Sequence, residues 1–131
     1  MAAPNIVNVA TITGITTFRV GISTVGASAG ITTIVTNAAS SNKVLKINSL
    51  VATAIGSTTG VTVQLFDGAA AHTAAAHTVS LASTMTVPLF SSLAVIDKTN
   101  SIYLQEGHQI GCTAQSNAGS IDIVCSYEDI S

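Results

Sequence analysis

The chain has 131 residues, enough for one domain with its own core. Only 8% of them are charged against roughly 25% in an average soluble protein, while 47% are apolar and about a quarter are Ser or Thr. The four cations Arg19, Lys43, Lys46 and Lys98 are scattered, and Thr, Ser, Asn and Gly interrupt every apolar run, which argues against a nucleic-acid stripe and against a membrane span.

With a formal charge of −2 there is little ionic repulsion to keep copies apart. Much of the surface is expected to be covered by other subunits. The opening "MAAPNIVNVATITG" has no Lys or Arg ahead of its apolar residues and carries Pro4, so it lacks the pattern of a secretory signal and implies synthesis in a cytoplasm.

In chain order, the first 24 residues alternate weakly and lead into "TVGASAG", a small-residue stretch able to act as a hinge. Two readings stand side by side. Residues 1–24 are either an extended N-terminal arm on a neighbouring subunit, with Ile6, Val7, Val9 and Ile12 as contact residues, or an ordinary first strand. Residues 25–131 form a single β-sandwich domain. Val-, Ile- and Thr-rich runs divided by turn formers place strands near 6–12, 16–22, 31–36, 43–54, 61–67, 77–82, 85–96, 101–105, 109–115 and 121–128. In "VTVQLFDG" Val61, Val63 and Leu65 share a face opposite Thr62 and Gln64, and in "KVLKINSLVATA" Leu45, Ile47 and Val51 do the same. Ten short strands without helical crossovers predict an all-β chain, an antiparallel β-sandwich of jelly-roll type.

"GAAAHTAAAH", residues 68–77, reads as an irregular surface loop after the turn signal Asp67-Gly68. His72 and His77 are five apart, on opposite faces of a strand, and a metal would need a third ligand from elsewhere. Asp67 and Asp97 are turn formers.

"IYLQEGHQIGC", residues 102–112, gathers Glu106, His108 and Cys112. Gly107 most simply supplies a tight turn between "SIYL" and "QIGCT", leaving His108 in solvent with no partner to tune it. A turn centred on Ala118-Gly119 would set Cys112 opposite Cys125 on neighbouring strands. Both share their face with Ile110, Ile121 and Ile123, so two buried thiols are preferred to a disulfide. No phosphate loop, nucleophile elbow, paired carboxylates or zinc spacing is present. No catalytic, metal or cofactor site is expected, and the chain reads as a non-enzyme.

The stretches "INSLVATAIGSTTGVTVQLFDG" and "VPLFSSLAVIDKTNSIYLQEGHQIGCTAQSNAGSIDIVCSYEDIS", with the opening "NIVNVATITGIT", resemble small virion structural proteins of tailed bacteriophages, particularly those of marine cyanobacteria. The resemblance covers nearly the whole chain and carries no functional residue to transfer. It implies a particle component, a capsid decoration or cement protein on the virion surface. Its expected partners are the major capsid protein and copies of itself, as a symmetric trimer. Family members commonly carry a more charged strand after the Glu-Gly turn, where Gln109 and Gly111 stand here. A tail, neck or fibre component is the alternative. A sugar-binding module for host attachment ranks below both, because Trp is absent and aromatics are 4%.

Overall fold

Strand after strand buries alternate residues, so each presents one apolar face and the chain folds as two such faces closed on each other. The computed structural model describes residues 9–22, 31–67, 78–115 and 121–131. It holds β1 (Ile12–Ile22), β2 (Thr32–Thr36), β3 (Val44–Ala54), β4 (Thr59–Asp67), β5 (Thr78–Val87), β6 (Ser92–Ile96), β7 (Ile102–Leu104), β8 (His108–Ala114) and β9 (Ile121–Ile130). Among the described residues there is no helix.

The first sheet has the order β1-β9-β3-β6, with β7 also on β3, and the second has β2-β8-β4-β5. All strand pairs are antiparallel. β7 pairs with Leu45–Ile47 and β6 with Leu50–Thr53, so the two are one edge strand interrupted by a turn. Counted that way there are eight strands, and the chain changes sheet at every connection except β4 to β5, which is the jelly-roll arrangement expected.

Leu45, Ile47, Leu50, Ala52, Ile121 and Ile123 from the first sheet meet Val61, Val63, Ile110 and Ala114 from the second in one core. A fully buried side chain of this size contributes about 1.5–3 kcal/mol.

Four expectations are refined. First, of the two readings of residues 1–24, residues 12–22 follow the ordinary first strand, as the edge of the chain's own first sheet running from Ile12↔Ile130 to Ile22↔Ile121. Ala10 and Thr11 are held as well, both donating to the Ser131 carbonyl. Ile6 and Val7, the 24–30 hinge, the 68–77 loop with His72 and His77, and Ala118-Gly119 lie outside the described residues. Second, the expected 85–96 strand is two strands, because Pro88 has no N–H to give a ladder. Third, a bulge between Ile47 and Ser49 reverses the alternation of β3, so that Leu50 enters the core and Val51 leaves it. Fourth, Cys112 and Cys125 are not on paired strands: β8 sits between β2 and β4, and β9 between β1 and β3.

Candidate functional site

Around Glu106 and His108 the backbone is built as a brace. Gly107 adopts φ +80°, a conformation that costs glycine little. The Glu106 carboxylate accepts the Asn42 N–H (2.6 Å), at a position where the chain turns through φ +57°. Beside it, Asn37 is 2% exposed and donates through Nδ2 to the carbonyls of Lys43 (2.9 Å) and Leu104 (3.0 Å). Its Oδ1 accepts from Ser41 (2.6 Å), and its backbone exchanges bonds with Gly107 and His108. The Glu106 carboxylate and the His108 backbone thus tie the β2–β3 loop to the β7–β8 turn, while Cys112 lies in the core.

The cysteines are free and fully buried. Burial pushes both thiols up to about 12, and Cys125 adds to the effect on Cys112. A nucleophile needs the thiolate, which these withhold at neutral pH. Asp97 is the turn former expected: its carboxylate accepts the Thr99 N–H (2.8 Å), the Thr99 hydroxyl and the Asn100 N–H, and these bonds lower its pKa. Among the described residues no three His, Cys, Asp or Glu side chains converge as metal ligands, and no helix is long and apolar enough to cross a membrane.

Among the described residues, one surface open to a partner is the outer face of the first sheet with its β1 edge. Phe18 on β1 pairs with Val124 on β9, which pairs with Val51 on β3, which pairs with Ala94 on β6. These side chains form an apolar row across the sheet, with Phe18 64% and Val124 46% exposed. Next to it Thr16, Ser126 and Ser49 form a hydroxyl row. A concavity of about 470 Å³ opens where β3 exchanges β7 for β6, lined among others by Gly14, Asn48, Ser49, Lys98, Ser126 and Glu128. The ring of Tyr127 packs against the core.

Of the contact residues taken from sequence, Ile12 lies on this surface at 63% exposed and Val9 is half-buried just before it. Sequence reasoning missed Phe18, Val20, Val51 and Val124. The period-2 continuation from Ile12 through Gly14, Thr16, Phe18 and Val20 would have found two of them. Gln109 and Gly111 are buried on the second sheet, so the neutral strand after the Glu-Gly turn is covered and not a contact surface. A Cβ on Gly111 would meet Ile31, the Thr32 carbonyl and the Phe66 ring. No family model, curated protein or solved structure matches this chain.

Proposed function

We propose that the chain is a non-enzymatic structural protein of a tailed-bacteriophage virion, a capsid decoration (cement) protein that binds the head in many copies and stabilises it. The observation that carries the reading is the apolar row from the exposed Phe18 and Val124 to the half-buried Val51, which starts on the β1 edge strand of the first sheet. Apolar surface of this kind on a chain with so few charges is a contact surface awaiting a partner. The sequence resemblance to phage virion proteins names the partner, the major capsid protein. The jelly roll, which recurs in viral capsid domains and also in lectins, agrees with it as an analogy of fold.

Imaging of the particle tests the reading. A lattice of this chain over the shell is the expected result, a ring at the neck or a place on the tail would move it to the alternative, and absence from the virion would overturn it. As a biochemical check, Val124→Asp should fold with an unchanged circular dichroism spectrum and lose at least tenfold in affinity for undecorated heads.

A further inference from the structure

The first sheet ends in β1, and comparison of this edge with the other three separates it from them. β2 is five residues long with a register slip between Thr33 and Val35. β5 carries two bulges against β4 and has Thr84 at φ +47°. The β6/β7 edge is broken by the Asp97 turn. Short length, bulges and breaks are the devices by which proteins keep sheet edges from pairing. β1 has none of them between Ile12 and Arg19, where its register with β9 is unbroken. It contains no proline, and Arg19 is its one charged residue.

We infer that β1 is the seam of a two-fold dimer, in which the β1 strands of two copies of this chain pair antiparallel about Thr16. The inference deepens the self-association in the reading above, and its test needs only the isolated protein, so its failure would leave the particle experiment untouched.

The register follows from pleat geometry. In an antiparallel ladder, opposite residues point to the same face and turn their backbone groups the same way. A two-fold seam therefore pairs positions whose numbers have an even sum. Centring on Thr16 uses the whole regular stretch from Ile12 to Arg19 together with Val20, the first residue of the irregularity between Arg19 and Ile22. On the outer face it sets Thr16 against itself, Phe18 against Gly14 of the other copy, and Val20 against Ile12. Ile12, Phe18 and Val20 are the three large apolar side chains that β1 leaves exposed, Val20 at 71%. Where a Cβ of Gly14 would project there is no atom within 4 Å, so an aromatic ring from across the seam has room to lie over the glycine, a favourable pairing at sheet edges. On the inner face Ile15 meets Thr17 and Thr13 meets Arg19. The two Arg19 side chains stand about 20 Å apart at roughly 3.3 Å per residue, beyond a Debye length of about 8 Å at physiological salt. No like charges oppose one another.

The outer faces of the two first sheets then join in one face eight strands wide, counting β6 and β7 together, with the two apolar rows four residues apart on either side of the Thr16 rows. An isologous seam closes on itself. It yields a dimer, where the sequence resemblance led to a trimer.

The test is sedimentation of the full chain and of two charge variants, with crosslinking of two cysteine variants. The parent is expected to sediment as a dimer. Ile12→Glu alone should weaken dimerisation at least tenfold with the melting temperature of the fold retained, and Ile12→Glu with Val20→Lys should restore it, because each new carboxylate faces a new ammonium across the seam. Thr16→Cys should crosslink to itself under diamide, whereas Thr13→Cys should not, since it faces Arg19. The buried native cysteines do not compete. A monomeric or trimeric parent, failure of the double variant to recover, or crosslinking at 13 in preference to 16 would each overturn the seam.

Discussion

Cys112 on β8 and Cys125 on β9 stand in opposite sheets, both wholly buried in the one core. The unfolded thiols lose their protons near pH 9, while in the folded chain burial holds the protons until about 12. The native state therefore binds more protons than the unfolded state across that window. Stability is full below pH 9 and falls as pH rises, by roughly 1.4 kcal/mol per pH unit for each thiol. Denaturation midpoints between pH 8 and 11 should show this slope, and Cys112→Ala should flatten it although it lowers the plateau. Neither thiol should label rapidly in the native protein.

Asn37→Ala should cost far more than Glu106→Ala. The first leaves the Lys43 and Leu104 carbonyls without the amide that satisfies them, at about 2–4 kcal/mol, and the second removes one exposed bond to the Asn42 N–H, at about 1 kcal/mol. Urea denaturation of the two variants measures the difference. Equal costs would remove Asn37 from the centre of the brace.

Gly111→Ala should destabilise by about 1–3 kcal/mol, because its Cβ would press on Ile31, Thr32 and Phe66. Adding Ile31→Ala should recover part of the loss, and a double-mutant cycle reads that recovery.

Asp97 sits below its ordinary pKa because it accepts bonds from Thr99 and Asn100. Its contribution is present above the unfolded value of 3.8 and is lost as pH falls through the lower folded value. Asp97→Asn should remove that acid dependence while keeping an acceptor for the turn, as thermal melts from pH 2 to 5 would show.

Alternation made the sheets legible. Val61, Val63 and Leu65 read correctly from sequence, as did the strands at 31–36, 43–54 and 121–128 to within a residue or two at most ends. Val51 misread because a bulge shifts the period by one residue, and no residue type around Asn48 announces it. The cysteine register failed for a topological reason: neighbours in sequence, β8 and β9, belong to different sheets, a choice set by the whole packing and not by either strand. The structural role of Glu106 was hidden because sequence lists side chains without their partners, and the partner of its carboxylate, the Asn42 N–H, lies 64 residues before it. The outer apolar row was invisible until Phe18, Val124 and Val51 were brought together from three distant strands.

The pairing of β1 with β9 sets an order of events at the ribosome. Ile12 finds its partner at Ile130, and Thr11 its partner at Ser131, 120 positions away. Until residue 130 has left the exit tunnel, Phe18 and Val20 have no ladder to join, and β3 lacks the neighbour that fills the gap between it and β1. β3 can pair with β6 and β7 earlier, but β1 must wait for β9 before it joins the sheet. Ring closure over the whole domain comes first and native contacts reward it afterwards, which places folding in the slow, millisecond-to-second class. Throughout that interval the same apolar strand is open to any copy being made alongside it.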